Sequence, residues 1–270
     1  MRWGGDAMVM DETSLLAIEC SHVASGYNGN VLMRDINLTI AQGEIVFILG
    51  GSGCGKSTLF KHMIGQVPPV SGSIRILGRE TTGDLSEEAR MKTLRSVGVM
   101  YQSGALFGNL SVLENVLLPL QEFSGLPPEV CETAARMRLA QVGLLTRADA
   151  MPAELSGGQK KRAAIARAMA LDPPVLFLDE PSAGLDPVTS ASLDALIHRL
   201  SRELGMTVVI ISHELASIEA IADRAIYLDR RVGGVLDQGT PHVLKTQSPH
   251  AEVRAFFNRQ AECSPEKETL

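Results

Sequence analysis

Hydrophobic residues near the start of the chain fall into short runs separated by glycines. The runs are LLAIEC (15–20), VLMRDINLTI (31–40) and EIVFIL (44–49). Glycine is frequent in turns because it adopts backbone angles that other residues avoid, so this pattern predicts strands joined by turns. Residues 1–14, before the first run, read as a polar leader outside the predicted fold.

Four later runs lie at wide intervals and are continuously apolar. They are VGVMY (97–101), VLFLD (175–179), VVII (208–211) and AIYL (225–228). A strand with one face in water alternates apolar and polar residues, whereas a strand of a parallel sheet covered by helices is apolar on both faces. The four runs therefore predict a buried parallel sheet.

The segments between these runs have helical periodicity. Within residues 190–204, leucine and isoleucine recur at helical spacing, at Leu193, Leu196, Ile197, Leu200 and Leu204. We expect that face to pack on the sheet. Residues from about 103 to 170 are helical in pattern apart from a break at LPP (126–128). This predicts a mainly helical subdomain inserted into an α/β core, with a C-terminal helix and a frayed tail over residues 246–270.

Composition excludes several classes of protein. With 45% hydrophobic and 21% charged residues, a chain of 270 residues can bury a sizeable core. Its formal net charge of -6 gives no broad basic surface, so we expect no nucleic acid among its partners. No run reaches the ~18 to 20 apolar residues that cross a bilayer, and acidic residues interrupt the N-terminus where a secretory signal would be apolar. The four cysteines include no C-x-x-C pair, which argues against a disulfide framework or a zinc site.

A glycine-rich loop follows the run EIVFIL. The octapeptide GGSGCGKS fits the phosphate-loop pattern G-x-x-x-x-G-K-[ST], and a helical stretch follows it. Backbone N–H groups of such a loop surround phosphate oxygens, the lysine reaches the β- and γ-phosphates, and the serine hydroxyl binds Mg²⁺. The predicted nucleotide-binding residues are Gly50, Gly51, Ser52, Gly53, Cys54, Gly55, Lys56, Ser57 and Thr58. The Cys54 thiol is near a helix N-terminus, where it can become reactive, or it is a small residue at a spacer position.

Two further motifs carry polar chemistry. The strand VLFLD ends in adjacent carboxylates. Asp179 suits the outer shell of Mg²⁺ and Glu180 suits a base that polarises water, unless the pair is a solvated acidic turn. LSGGQ (155–159) places a serine and two glycines at a helix start, which is either a second anion-binding end or an ordinary capped helix. The residues alone do not explain why a chain with one nucleotide would need two phosphate cradles.

The motifs occur in one order along the chain: the phosphate loop, Gln102, LSGGQ, Asp179-Glu180, SAGLD (182–186) and His213. Together they closely resemble the ABC ATPases over roughly residues 15–245. The resemblance implies a P-loop NTPase (RecA-like) core with an N-terminal antiparallel β subdomain and an inserted α-helical subdomain. It also implies ATP and Mg²⁺ as cofactors and a second copy of the chain as partner. In that family two cassettes close head to tail, and each signature contacts the nucleotide of the other, which would explain the second cradle.

The same resemblance implies roles for single residues. Glu180, His213 and Gln102 would be catalytic, with His213 on the γ-phosphate of its own site and Gln102 sensing Mg²⁺ and the attacking water. The metal set would be Ser57, Gln102 and Asp179. Ser156, Gly157, Gly158 and Gln159 would contact the partner's nucleotide, Asp186 would communicate across the dimer, and Tyr27 would stack on adenine.

The stretch YQSGALFGNLSVLENVLLPL (101–120) is similar to the ATPase subunits of MCE-linked lipid transporters, the Mla type that moves phospholipids between bacterial inner and outer membranes. Gln159 departs from that group, in which several members have methionine. The similarity implies an integral-membrane permease, an MCE-domain lipid-binding protein, and a peripheral position on the cytoplasmic face of the inner membrane. Leu106 and Phe107 would line the groove that receives a permease helix, or they fold back onto their own subdomain. HAEVRAFFNRQ (250–260) is a candidate site for a small regulatory subunit.

Two other functions stay open at this point. A nutrient-importer ATPase would use the same residues with a different permease. A soluble ABC ATPase, such as an iron–sulfur assembly factor, would use them with no membrane partner.

Overall fold

The computed structural model describes residues 16–27, 30–83 and 85–260, so the predicted leader and the end of the predicted tail lie outside the described residues. The strands are β1 (Leu16–Tyr27), β2 (Asn30–Ala41), β3 (Ile45–Gly50), β4 (Ser71–Ile76), β5 (Arg79–Glu80), β6 (Val97–Met100), β7 (Val175–Asp179), β8 (Thr207–Ile211), β9 (Arg224–Asp229) and β10 (Gly234–Gly239). The helices are α1 (Lys56–Met63), α2 (Glu87–Leu94), α3 (Val112–Phe123), α4 (Pro128–Gln141), α5 (Gly157–Ala168), α6 (Pro187–Leu204), α7 (Leu215–Ile221), α8 (Pro241–Gln247) and α9 (Ala251–Phe257). Short 3₁₀ turns occupy Leu145–Arg147 and Pro152–Glu154. No helix among the described residues combines the length and the apolar character needed to cross a membrane.

A six-stranded sheet forms the centre, in the order β10-β9-β3-β8-β7-β6. The pairs β3–β8, β3–β9, β7–β8 and β6–β7 are all parallel, and only the edge pair β9–β10 is antiparallel among the pairs described for this sheet. Ile211 pairs with Ile48 on one side and with Asp179 on the other, so neighbouring strands end at the same edge. The predicted parallel sheet is confirmed, with all four late apolar runs in it.

A second, antiparallel sheet has the order β2-β1-β4-β5. Ile18 of β1 lies opposite Ile40 of β2 and Ile76 of β4, so the first two predicted runs pair with each other and the third joins the central sheet. The sequence pattern did not indicate β4 or β5, because SGSIRI has only two apolar residues and β5 has two residues in all. Pairing of β4 with β1, and of β5 with β4, makes these segments extended.

The central sheet buries both faces. Ile45, Phe47 and Leu49 of β3 pack in one hydrophobic cluster with the helices α3 to α6. Val46 and Ile48, which alternate with them, pack in a second cluster with α1 and the antiparallel sheet. Successive side chains of a strand point to opposite faces, so a continuously apolar run is what a sheet between two layers requires.

Between residues 103 and 170 the regular elements are the helices α3, α4 and α5, apart from the two 3₁₀ turns. The LPP break lies where expected, since α3 ends at Phe123 and α4 begins at Pro128, a position in the first turn where proline is tolerated. On α6 the predicted apolar face is buried at four positions, but the fifth prediction was wrong: Leu204 is 40% exposed. Leu204 is the last residue of the helix, and Gly205, with φ at 65°, ends the helix there before the chain enters β8 at Thr207.

The C-terminal segment packs on the core through its aromatic residues. Phe257 is buried, and the ring of Phe256 lies edge-on to Tyr227 with centroids 5.5 Å apart. Both phenylalanines of the candidate regulatory segment thus pack against other parts of the same chain.

Candidate nucleotide-binding site

The motif residues gather at the carboxyl edge of the central sheet. The phosphate loop follows β3, Asp179 ends β7, and Gln102 and His213 each lie two residues beyond the ends of β6 and β8. Open sheets with parallel strands bind ligands at this edge. Four separate sequence motifs therefore meet because they follow parallel strands.

The phosphate loop leaves donors free for an anion. The N–H groups of Gly53 and Gly55 have no hydrogen-bond partner among the described residues, and α1 begins at once with Lys56. The Lys56 ammonium donates to the carbonyl oxygens of Gly50 and Gly51, at 2.7 and 2.9 Å. Unpaired N–H groups at a helix N-terminus fit the phosphates of a nucleotide. Of the side chains predicted to bind, Ser52 and Ser57 are exposed, whereas Cys54 and Thr58 are buried.

Glu180 is held in an unusual backbone conformation and points at two side chains. Its φ of 46° lies in the left-handed region, which non-glycine residues rarely occupy. Nδ1 of His213 lies 2.8 Å from Oε1 of Glu180, and the Ser212 hydroxyl donates to Oε2 at 3.3 Å. The structure thus brings together two predicted catalytic residues, Glu180 and His213.

The surroundings of Asp179 disfavour its negative charge, and a bound cation would stabilise that charge. Burial raises the pKa of Asp179, the adjacent Glu180 carboxylate raises it further, and Lys161 and Lys61 oppose the shift. A divalent cation beside it would favour the ionised form. No cluster of three His, Cys, Asp or Glu in the described part of the chain is placed to hold a metal. The predicted Mg²⁺ set is of another kind, one hydroxyl, one amide and one carboxylate, and these are the hard oxygen donors that Mg²⁺ prefers.

The loop from Tyr101 to Leu110 is fixed by side chains from two helices. The buried Asn115 amide bonds the N–H and the carbonyl of Phe107 and the carbonyls of Leu110 and Ser111. From α5, Lys161 donates to the Gln102 carbonyl at 2.6 Å, and Arg167 donates to the carbonyls of Gly104 and Ala105. The Gln102 side chain itself is exposed.

The apolar pair in this loop is divided between core and solvent. Leu106 is half-buried and packs against the core, whereas the Phe107 side chain is 48% exposed under the Arg167 guanidinium, 5.7 Å from its ring centre. Leu106 folds back on its own subdomain, one of the two alternatives, whereas the contact of Phe107 with a permease helix stays a prediction.

The signature residues are built into a helix cap. The Ser156 hydroxyl accepts from the Gln159 N–H, and the Gln159 side chain accepts from the Ser156 N–H, which is a capping box. A Cβ at position 158 would lie 2.5 Å from Cγ2 of Thr189, so any other residue there would force Thr189 to shift. Among the described residues no hydrogen bond or ion pair joins residues 156–159 to the phosphate loop. The two cradles of one chain are separate.

Asp186 caps α6 in a similar way. Its carboxylate accepts from the Thr189 hydroxyl and from the N–H groups of Thr189 and Val188. The hydrogen bonds of Thr189 are the main reason that the pKa of Asp186 is lowered. Asp186 is exposed, so the carboxylate stays accessible at the surface beside the signature.

Tyr27 at the end of β1 forms a half-exposed ring supported from α1. The Lys61 ammonium lies 5.9 Å from the ring centre, and the rings of Tyr27 and His62 lie 6.2 Å apart. The buried His62 accepts from the N–H of Gly26 through Nε2 and contacts the Val67 carbonyl through Nδ1. Burial lowers the pKa of His62, which favours this neutral form.

Sequence reasoning missed Lys161, Asn115 and His62. For Lys161 a signal existed: it lies three residues after Gly158 and four before Ile165, on the buried face of α5. Lys161 and His62 bond backbone atoms up to 59 and 36 residues away, and Asn115 bonds backbone atoms 4 to 8 residues before it. No local sequence pattern marks these partners.

Comparison with known proteins agrees with this geometry. The family model for ABC transporters matches residues 33–183. The chain belongs to the ABC transporter family. This ABC ATPase is 36% identical over 251 residues to the intermembrane phospholipid transport system ATP-binding protein MlaF of Escherichia coli K12, covering 92% of this chain and 91% of that protein. It is 40% identical over 227 residues to the methionine import ATP-binding protein MetN of Rhodospirillum rubrum, covering 84% of this chain and 64% of that protein.

Among solved structures, the ABC ATPase superposes on the dimeric ATP-binding cassette MJ0796 bound to ADP and Pi. The TM-score is 0.73 at 32% identity, over 83% of this chain and 98% of the other. The P-loop NTPase fold with its antiparallel subdomain, expected from the motifs, is thereby confirmed.

Proposed function

We propose that this ABC ATPase binds and hydrolyses ATP to drive phospholipid transport between the inner and outer membranes, through a separate permease and with an MCE-domain protein. The observation that carries the proposal is the match to MlaF, which extends over nine-tenths of both chains. The match to MetN spans only 64% of that importer subunit. The chain then works at the cytoplasmic face of the inner membrane, held there by the permease.

Each part of the site has a role in hydrolysis. Lys56 and the unpaired loop N–H groups bind the phosphates, and Tyr27 supports adenine. Mg²⁺ held by Ser57, Gln102 and Asp179 would neutralise charge on the β- and γ-phosphates. Glu180 orients and polarises water, with His213 beside it on the γ-phosphate. Phosphoryl transfer depends on alignment and charge neutralisation, and these residues supply both.

The site becomes complete when a second copy closes on it. Ser156 and Gly157 are exposed and have no bond to the phosphate loop of their own chain. In a head-to-tail dimer they contact the γ-phosphate held by the partner. The dimeric arrangement of the MJ0796 cassette supports this arrangement.

A groove next to the loop 101–110 suits the permease. It has a volume of 340 Å³ and lies between α2, β6, α3 and α5, with Leu94, Phe123 and Leu171 among its apolar walls. Arg167 lines the groove and also lies over Phe107, which is not part of the groove wall, so a helix that extends past Arg167 would reach the exposed ring. An exposed apolar surface of this kind is typical of a protein interface.

The test is to tag the full chain at its C-terminus, solubilise membranes gently, and identify the proteins and lipids that copurify. Recovery of a multi-span permease, an MCE-domain protein and phospholipid would support the proposal. A permease with a solute-binding protein and no lipid would instead assign nutrient import. Recovery from the soluble fraction alone would overturn the transport function.

One variant tests the docking surface. Phe107→Glu should lower recovery of the permease, because it places a charge on the apolar contact. Val232→Glu is the matched control, since Val232 is also an exposed apolar residue, 61% exposed, but lies in a different turn, between β9 and β10.

A further inference from the structure

Lys161 is a buried cation whose partners are backbone carbonyls. Its side chain belongs to α5, four residues after the start of the helix, and the residue is 8% exposed. The ammonium donates to the carbonyl oxygen of Gln102 at 2.6 Å and to that of Glu180 at 3.2 Å. Among the described residues no carboxylate lies within ion-pair distance of it. Burying an ammonium group is unfavourable unless its hydrogen bonds are satisfied. The two hydrogen bonds to these carbonyls therefore stabilise the buried Lys161 side chain.

The two carbonyls belong to loops that follow different strands. Gln102 lies two residues beyond β6, and Glu180 follows β7 directly. The two residues are therefore far apart in the sequence. The Lys161 ammonium therefore joins the loop that carries the predicted metal and water sensor to the backbone of the predicted base. Lys161 thus adds a direct link between the two loops to the parallel pairing of β6 and β7 and to the bonds that Arg167 makes with Gly104 and Ala105.

The hydrogen bond from Lys161 to the Glu180 carbonyl holds a residue whose backbone is strained. The φ of Glu180 is 46°, and its N–H donates to the Ile211 carbonyl at 2.8 Å. The carbonyl of the same residue accepts from Lys161 and from the Ala183 N–H, each at 3.2 Å, so both polar backbone groups of Glu180 are held. A strained conformation persists only where its surroundings determine it. The orientation of the carboxylate toward Ser212 and His213 depends on that conformation.

The helix that carries Lys161 also carries the signature. Ser156 caps α5, and Arg167 near the other end holds the carbonyls of Gly104 and Ala105. One rigid helix thus contacts the signature end, the loop after β6 and the backbone of Glu180.

We propose that Lys161 is a positioning residue for ATP hydrolysis, which holds Gln102 and Glu180 in register with the signature helix so that the base and the metal-sensing amide act on one γ-phosphate. The inference rests on the proposed role of Glu180 as base. It does not depend on which substrate the transporter moves.

The experiment compares Lys161→Met with Lys160→Met in the full chain. Methionine keeps the length of the side chain and removes the ammonium. Lys160 is the adjacent, exposed lysine of the same helix, so its variant controls for loss of one charge. Hydrolysis rates are divided by the number of chains that bind a fluorescent ATP analogue, which corrects for any misfolded fraction.

For Lys161→Met we expect kcat to fall about 10- to 100-fold, the effect of a small misplacement of reacting groups, with the ATP dissociation constant changed by less than about threefold. Lys161→Gln, which keeps an N–H donor, should recover part of the rate, and Lys160→Met should match the wild type. A merely structural role would lower the number of binding-competent chains and leave the corrected kcat unchanged. That result, or an equal loss in Lys160→Met, would overturn the inference.

Glu180→Gln separates this inference from the function on which it rests. If Glu180→Gln is inactive and Lys161→Met has a normal corrected kcat, only the positioning role fails. If Glu180→Gln hydrolyses ATP at the wild-type rate, the assignment of the base fails, and the inference fails with it.

Discussion

Asn115 should be a main determinant of the stability of the loop from Tyr101 to Leu110. Its side chain is fully buried and makes four hydrogen bonds to the loop 107–111. Asn115→Leu keeps a similar volume and removes all four bonds. The Phe107 carbonyl keeps a bond from the Leu110 N–H, and the Ser111 carbonyl keeps one from the N–H of residue 115.

Two backbone groups then have no partner among the described residues, the Phe107 N–H and the Leu110 carbonyl. A buried polar group without a partner costs about 1–3 kcal/mol. The exposure of Phe107 indicates that water can reach the loop, so we expect the lower end for each group, a total of about 2–3 kcal/mol. For a chain of this size that corresponds to a fall in Tm of about 4–12 °C.

The assay is thermal unfolding of the full chain, followed by circular dichroism. Asn109→Leu is the matched control: it makes the same chemical change in the same loop at an exposed residue, and we expect a change within about 0.5 kcal/mol. A Tm for Asn115→Leu within 2 °C of the wild type, or an equal fall in Asn109→Leu, would refute the claim that these bonds hold the loop.

Two further predictions concern carboxylates. Glu180→Gln should bind ATP normally but lose at least about 100-fold in hydrolysis rate and accumulate as an ATP-bound dimer, seen by size-exclusion chromatography; a wild-type rate would place the base elsewhere. Asp194 is buried and accepts from the Ser217 hydroxyl at 2.8 Å, and burial is the main reason that its pKa is raised. The folded chain thus holds this proton more tightly than the unfolded chain, so the carboxyl favours folding at low pH and that contribution is lost as pH rises through the folded pKa. Asp194→Asn should therefore raise Tm at pH 7 with a gain that shrinks towards pH 4, and a constant gain at both pH values would contradict this.

The central sheet could be predicted because its strands are buried on both faces. When apolar runs such as VLFLD and VVII alternate along the chain with helical segments, a parallel sheet covered by helices on both faces explains them. The phosphate loop was recognisable because its chemistry needs fixed residue types at fixed spacing. The convergence of Gln102, Asp179 and His213 followed from the parallel order of the strands.

Features that depend on tertiary contacts could not be predicted. The sequence does not show that Leu106 packs while Phe107 stays exposed, because both are apolar neighbours in one loop. Gln159 was predicted to contact the partner's nucleotide, and in the structure its side chain completes the cap of α5. Contact with the partner's nucleotide stays a prediction for Gln159, for Ser156 and for the two glycines. The role of Lys161 depends on carbonyl groups 59 and 19 residues away.

The central claim is that hydrolysis needs groups from two copies of the chain, and mixing two inactive variants tests it most directly. Lys56→Ala removes the phosphate-binding lysine, and Ser156→Arg blocks the signature. A mixed dimer contains one site with an intact phosphate loop from one copy and an intact signature from the other. We predict that each variant alone is inactive and that the mixture hydrolyses ATP above both. No recovery in a mixture that native mass spectrometry shows to contain mixed dimers, or wild-type activity of Ser156→Arg alone, would contradict the claim.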